Sequence, residues 1–87
     1  MSDQKILVYG VEWCGDCRRA RRFLNEHAIQ FTFINIDQDK KGEQFVLKTN
    51  RGYRSVPTIV FADGTTLTEP SNDTLAKKIG MAEKVAF

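Results

Sequence analysis

The sequence predicts a small α/β domain, and three observations support this class. Two short apolar and β-branched segments flank an amphipathic helical segment, which is the pattern of a β-α-β unit. A second helical pattern, a β-hairpin and a third helical pattern follow, and the chain contains no repeat or linker. With 87 residues, of which 41% are hydrophobic, the chain can bury one modest core, so we predict a single domain over residues 1–87.

A change in hydrophobic period defines the first unit. Residues 5–9 form an apolar run that ends at Gly10, as expected of a strand buried on both faces. The helix that follows begins near Gly15 and ends near His27. Its predicted buried face carries Cys17, Ala20, Leu24 and Ala28, and its predicted solvent face carries Arg18, Arg19 and Arg22. Residues 31–36 are aromatic and β-branched and predict a second strand, parallel to the first because a helix connects them.

Turn and capping residues define the second half. Asp37 or Asp39 can cap a helix through residues 45–47, and residues 50–52 are of types that end one. Residues 57–61 and 66–68 predict two antiparallel strands joined by a turn at residues 62–65. Ser71 can cap a last helix that Gly80 ends. Its predicted buried face carries Leu75 and Ile79, and residues 81–87 either add a helical turn or fray.

The only two cysteines lie where the first strand should end and the first helix begin. Two thiols separated by two residues at this junction predict a dithiol/disulfide redox site. The free N–H groups and partial positive charge of a helix start favour a thiolate at Cys14, which predicts that Cys14 is the attacking sulfur. Cys17 follows on the same side of the first turn and can resolve the disulfide. So short a loop restricts the unfolded chain little, which argues against a purely structural disulfide.

Composition and charge argue against several other classes. The net charge of +2, with acidic and basic residues interleaved, gives no reason to expect nucleic acid. We see no secretory signal and no apolar run that could span a bilayer, so we expect a cytoplasmic protein without a membrane partner. A structural zinc site needs four ligands, and only His27 remains beside the cysteines, so we predict no metal site. An iron-sulfur cluster shared between two chains through Cys14 stays open.

Two motifs that are distant in sequence resemble those of the thioredoxin superfamily in its short glutaredoxin form. They are Trp13-Cys14-Gly15-Asp16-Cys17 at the first helix and Ser55-Val56-Pro57-Thr58 before the third strand. The resemblance covers nearly the whole chain and is greatest to the mycoredoxin branch, on residues 56–58, 61–65 and 67–71. It implies a thioredoxin-like (glutaredoxin) fold with a four-stranded mixed sheet of strand order 2-1-3-4 and about three helices.

The resemblance also implies roles for individual residues. Cys14 would be the nucleophile, Cys17 the resolving thiol and Pro57 a cis-proline that faces them. The backbone of Val56 would then pair with an extended thiol or peptide, and Thr58 would flank that groove.

Other candidates for substrate or thiol binding surround these motifs. They are Trp13, Arg18, Tyr53, Ser71 and Asn72. Trp13 would form a groove wall or a staple over the helix start, and Arg18 lies about one turn beyond Cys14. For Arg18 and Tyr53, an ordinary solvent-exposed position remains the alternative.

The resemblance implies a thiol-disulfide oxidoreductase. It would act as a monomer on proteins that carry disulfides or mixed disulfides, with mycothiol or glutathione as co-substrate and no tightly bound cofactor. Glutathione-using relatives carry paired glycines before the last helix, whereas this chain has residues 68–73, in which Glu69 and Asp73 add negative charge. A thioredoxin-like dithiol donor, an iron-sulfur carrier and a binding module with incidental cysteines remain alternatives.

Overall fold

Seven elements alternate along the part of the chain that the computed structural model describes, residues 6–80. They are β1 (Leu7–Gly10), α1 (Gly15–Glu26), β2 (Thr32–Asn35), α2 (Lys40–Thr49), β3 (Thr58–Val60), β4 (Thr66–Thr68) and α3 (Asn72–Lys78). Each predicted helix and strand in this range is present. The alternatives for residues 81–87 lie outside the described residues.

The four strands form one mixed sheet in the order β2-β1-β3-β4, as predicted. β1 and β2 are parallel, and β3 runs antiparallel to both β1 and β4. The C-terminal ends of β1 and β2 therefore lie at the same end of the sheet as the first residue of β3. This topology brings together the loop that contains Cys14, the loop after β2 and the loop that contains Pro57.

Helices cover both faces of the sheet. On the face of α1 and α3 the buried cluster contains Ile6, Val8, Ala20, Leu24, Ile59, Phe61 and Leu75. On the face of α2 a smaller cluster contains Val11, Ile36 and Val46. Tyr9 stacks on Phe45 of α2 there, with the ring centroids 4.7 Å apart. Each fully buried aliphatic side chain contributes roughly 1.5–3 kcal/mol, so these two clusters hold the helices on the sheet.

The predictions that β1 is buried on both faces and that Ala28 belongs to the buried face of α1 need correction, whereas the predicted end of α1 near His27 is confirmed. Val8 and Gly10 are buried, but Leu7 is only half-buried, so β1 is not fully covered on both faces. α1 ends at Glu26, and Ala28 is exposed, not part of the buried face. Ala28 has a φ of 58° because the chain has already left the helix and turns towards β2.

α2 contains a glycine for a packing reason. Asp39, not Asp37, is its N-cap, and the Asp39 carboxylate accepts a hydrogen bond from the Gly42 N–H at 2.8 Å. A Cβ atom at Gly42 would lie 2.9 Å from Cγ2 of Ile34, closer than real contacts allow. Gly42 therefore lets α2 lie close against β2, and the helix continues through it.

The last helix begins and ends where the sequence predicted. Ser71 is the N-cap of α3, and its hydroxyl accepts a hydrogen bond from the Thr74 N–H at 3.1 Å. Leu75 is buried and Ile79 half-buried, and Gly80 follows with a φ of 80°. Within residues 6–80, no helix combines the length and apolar character needed to cross a bilayer.

Candidate active site

The two cysteines occupy very different environments although they lie one helical turn apart. Cys14 is the N-cap residue of α1, with an extended backbone, and its side chain makes no capping hydrogen bond. It is partly exposed, whereas Cys17 is completely buried. Both are free thiols, and they lie close enough to interact. Of the two cysteines, only Cys14 therefore has surface that is exposed to solvent.

Burial makes Cys17 a very weak acid. It raises the pKa of the Cys17 thiol to about 12, and the neighbouring Cys14 thiol acts in the same direction. A hydrogen bond with the Val11 backbone and the positive charge of Arg21 lower that pKa but do not offset burial. At neutral pH Cys17 is therefore a protonated thiol.

Gly10 provides the space in which the Cys17 sulfur lies. A Cβ atom at Gly10 would be 2.6 Å from Sγ of Cys17, and Cβ atoms essentially never approach another atom this closely. The thiol thus packs directly against the backbone of the last residue of β1. This contact explains why the first strand must end in glycine.

The proline motif lies in the same region as the cysteines. The Val56–Pro57 peptide bond is cis, as expected from the resemblance. Val56 and Cys14 both pack against the cluster of Val11, Ile36 and Val46, so the fold brings the two distant motifs onto one small core. Pro57 is buried, while Val56 remains partly exposed.

Thr58 does not line an accessible groove. Its side chain is completely buried, and its hydroxyl donates to the Ser55 carbonyl at 2.8 Å. The same oxygen accepts a hydrogen bond from Nδ2 of Asn50 at 3.0 Å. Thr58 therefore supports the proline loop from beneath, and a flanking role beside the substrate does not fit its position.

A network of hydrogen bonds and ion pairs lies beside the cysteines. The Trp13 indole N–H donates to the Asp37 carboxylate at 2.9 Å, and Arg54 donates to the other oxygen of Asp37 at 2.6 Å. Arg54 also donates to Glu43 of α2 at 2.8 Å. The hydrogen bond from Arg54, followed by that from Trp13, lowers the pKa of Asp37. Sequence reasoning considered Asp37 only as a helix cap and missed this role.

Two aromatic side chains are exposed to solvent, Trp13 in this network and Tyr53, which precedes Arg54 in the sequence. Trp13 is 68% exposed and Tyr53 is 71% exposed. A staple residue packs against the helix that it precedes, so this exposure does not fit a staple role for Trp13. Both side chains are free to contact a bound molecule.

The remaining candidates lie along α1 and at the start of α3. Arg18 donates to the Glu12 carbonyl at 3.2 Å, in the loop that precedes Cys14. Arg19 was predicted to face solvent, but it is half-buried and donates to Asn72 at 2.7 Å and to the Pro70 carbonyl at 2.9 Å. Arg19 therefore joins α1 to the segment of Ser71 and Asn72, which makes no described contact with Cys14.

No cluster in residues 6–80 contains three or more histidine, cysteine, aspartate or glutamate side chains arranged to hold a metal ion.

Comparison with known proteins agrees with this arrangement. The family model named Glutaredoxin matches residues 6–66. A Mycobacterium tuberculosis protein named as a glutaredoxin is 38% identical over 74 residues, which are 85% of this chain and 88% of that protein. Mycoredoxin 1 of Corynebacterium glutamicum is 34% identical over 65 residues, covering 75% of this chain and 80% of the relative.

The solved structures agree with the predicted thioredoxin-like fold. The glutaredoxin of Archaeoglobus fulgidus superposes with a TM-score of 0.69 at 27% identity, covering 85% of this chain and 84% of that one. The family match, the curated relatives and the shared fold all indicate the same assignment. The chain belongs to the glutaredoxin family, whose members are thiol-disulfide oxidoreductases.

Proposed function

We propose that this protein reduces mixed disulfides between proteins and a low-molecular-weight thiol, with Cys14 as the nucleophile. The contrast between the two thiols supports this proposal. Cys14 is accessible at the start of α1, whereas Cys17 is buried and protonated. Exchange requires an exposed sulfur that can become a thiolate, and the buried, protonated Cys17 does not meet that requirement in the resting state.

The first step transfers the small thiol to the protein. The Cys14 thiolate attacks the small-thiol sulfur of the mixed disulfide, which forms a disulfide between Cys14 and the small thiol. The client sulfur leaves as a thiolate and takes up a proton. The step needs no metal, and one disulfide bond is exchanged for another.

The second step removes the small thiol from Cys14 by one of two routes. A second small thiol can attack the small-thiol sulfur, which releases a small-molecule disulfide and the Cys14 thiolate. Alternatively, Cys17 attacks the Cys14 sulfur, releases the small thiol and forms the Cys14–Cys17 disulfide, which two further small thiols then reduce to the dithiol while they are themselves oxidised to a small-molecule disulfide. Because Cys17 must first lose a proton that burial holds strongly, we propose that the small thiol clears Cys14 faster.

We propose that the bound thiol lies in a groove beside Cys14. Exposed Trp13 and Tyr53 are proposed as its walls, the backbone of Val56 as its hydrogen-bonding edge, and Arg18 as a nearby positive charge. Pro57 would form the buried floor behind Val56. Ser71 and Asn72 are proposed as a more distant contact, through their link to α1.

Mycothiol is the proposed co-substrate, with glutathione as the alternative. The relative from Corynebacterium is named a mycoredoxin, which supports this choice. Glu69 and Asp73 are exposed beside the start of α3, where they would repel the carboxylates of glutathione. We further propose that the protein acts as a monomeric single domain in the cytoplasm, on protein disulfides and mixed disulfides, without a tightly bound cofactor.

Turnover of two mixed disulfides by matched serine variants tests this proposal. A peptide joined to mycothiol and the same peptide joined to glutathione are each offered to wild type, Cys14→Ser and Cys17→Ser. We expect Cys14→Ser to lose turnover, Cys17→Ser to keep it, and wild type to prefer the mycothiol adduct. Full turnover by Cys14→Ser would contradict the proposal.

The same variants separate the rival functions. Complete loss of activity in Cys17→Ser, with the variant folded, would favour a thioredoxin-like dithiol donor, which requires both thiols. A brown protein with charge-transfer absorbance after anaerobic purification would favour an iron-sulfur carrier. Equal turnover of both adducts would overturn the preference for mycothiol but not the oxidoreductase activity.

A further inference from the structure

A shallow groove that is largely open to solvent lies between α1 and β2, on the side of the sheet where β2 is the edge strand. Its lining includes Arg18, Arg21 and Arg22 of α1, together with Phe31 and Phe33. We call it the arginine groove. Glu26 also lines the groove, so three positively charged side chains and one negatively charged side chain surround it.

The arginines of the groove differ in what they already bind. The Arg21 guanidinium lies over the Phe33 ring, 4.0 Å from its centroid, and pairs with the Glu12 carboxylate at 3.2 Å. Arg22 is exposed, and Arg18 contacts only a backbone carbonyl, that of Glu12. Within residues 6–80, neither Arg18 nor Arg22 pairs with a carboxylate. These two guanidinium groups are available to a bound anion.

β2 adds an open row of backbone groups beside the arginines. It is an edge strand, paired only with β1 among the described elements. The Thr32 N–H donates to the carbonyl of Ile6, just before β1, and the Ile36 N–H donates to the carbonyl of Gly10, each at 2.9 Å. Because alternate residues of a strand point their backbone groups in opposite directions, the N–H and C=O of Phe33 point to the open edge. Such an edge is a template for an added strand.

We propose that the arginine groove docks an acidic, extended segment of a client protein. The segment would pair with the open edge of β2 and place carboxylates on Arg18 and Arg22. This inference rests on the proposed function because it concerns the clients of that reaction. An extended peptide suits the site better than a nucleic acid does, because a peptide backbone can pair with the open edge of β2 as an added strand.

The geometry gives the position of the acidic residues in the client. Arg22 lies eight residues beyond Cys14, which is about 12 Å along a helix. An extended chain covers about 3.3 Å per residue. Acidic residues about four positions from the client cysteine would therefore reach Arg22 while the mixed disulfide of that cysteine lies at Cys14.

Binding of a labelled, cysteine-free peptide with glutamate at alternate positions tests the inference. The proteins are wild type, Arg22→Glu, Arg22→Lys and Lys41→Glu, the last an equal charge change on the exposed side of α2. We expect Arg22→Glu to weaken binding roughly five- to tenfold, because an attractive pair of modest energy becomes repulsive. Arg22→Lys and Lys41→Glu should bind as wild type does, and the peptide should slow amide exchange at Phe33.

Several results would overturn the docking surface. They are equal weakening of binding by Arg22→Glu and Lys41→Glu, unchanged amide exchange at Phe33, tight binding of a peptide with lysine in place of glutamate, or stronger binding of a single-stranded oligonucleotide of equal charge.

Turnover of a small mixed disulfide without a peptide should be the same in Arg22→Glu and wild type. If that turnover requires Cys14 but the acidic peptide does not bind, only the docking surface is wrong. If the peptide binds as expected while Cys14→Ser remains active, the proposed function is wrong instead.

Discussion

The chemistry of this site depends on how differently the fold treats two identical side chains. Cys14 lies before the first helical turn, where its side chain is free of capping bonds. Cys17 lies on the buried face of the same helix, against the backbone of Gly10. One helical turn thus separates a partly exposed cysteine from one that burial keeps protonated. The difference between the two thiols results from the contacts of Cys17 with β1 as much as from the position of Cys17 in the motif.

Replacement of Gly10 by alanine should therefore destabilise the protein. The added Cβ would lie 2.6 Å from Sγ of Cys17, so the helix or the thiol must move. Overpacking of this kind costs about 1–3 kcal/mol, and each kcal/mol lowers the Tm of a domain of this size by about 4–8 °C. Thermal unfolding followed by circular dichroism measures the change.

Gly15→Ala is the matched control for Gly10→Ala. A Cβ at Gly15 would meet no atom within 4 Å, and alanine is a better helix former than glycine. We expect this variant to be as stable as wild type or more stable. If Gly10→Ala melted at the same temperature as Gly15→Ala, the close contact between β1 and Cys17 would be wrong.

At the scale of elements, the β3–β4 turn and the end of α3 are joined through one carboxylate. Asp63 accepts hydrogen bonds from the Thr65 N–H at 3.0 Å and from the Thr65 hydroxyl at 2.6 Å. Its other oxygen accepts from Lys78 of α3 at 2.8 Å. The bonds from Lys78 and Thr65 hold the pKa of Asp63 far below its usual range. This carboxylate links the hairpin to the last helix.

The lowered pKa of Asp63 gives a pH dependence with a defined sign. The ionised carboxylate is favoured in the folded state, so its contribution is present above the unfolded pKa of about 3.9 and is lost as the pH falls below that value. We expect Asp63→Asn to lower the Tm at pH 7 and the difference from wild type to shrink in acid. Thermal unfolding across this pH range measures it.

A double-mutant cycle with Lys78→Gln provides the control for Asp63. The two single changes remove the same ion pair, so their effects at pH 7 should not add. Strict additivity, or a Tm difference that grows as the pH falls, would contradict the contacts of Asp63 with Lys78.

The sequence predicted the elements more fully than the contacts between them. The helical period identified the buried face of α1 through Leu24, and capping residues located α3, because both signals are local. The need for glycine at position 42 could be recognised only from the structure, because it arises from the nearby Ile34 side chain of β2. Thr58 and Arg19 were misplaced for the same reason: the partners of each come from other elements.

At the scale of the whole molecule, the sheet topology assembles the site from three loops. Because β1 and β2 are parallel and β3 runs in the opposite direction, the cysteines, Asp37 and Pro57 lie at the same end of the sheet. The cysteine pair and the proline were recognisable in the sequence because each carries its own chemical signature. The Trp13–Asp37–Arg54 network was not, because its residues are distant in sequence and each alone is an ordinary exposed side chain.

The proposed chemistry depends on Cys14 alone being available to react in the folded protein. Time-resolved alkylation of the reduced protein near neutral pH, with the labelled cysteine identified by mass spectrometry, tests this most directly. We expect Cys14 to be labelled first and Cys17 to be labelled only after denaturation, in wild type and in Cys14→Ser alike. Labelling of Cys17 in the folded protein at the rate of Cys14 would contradict it.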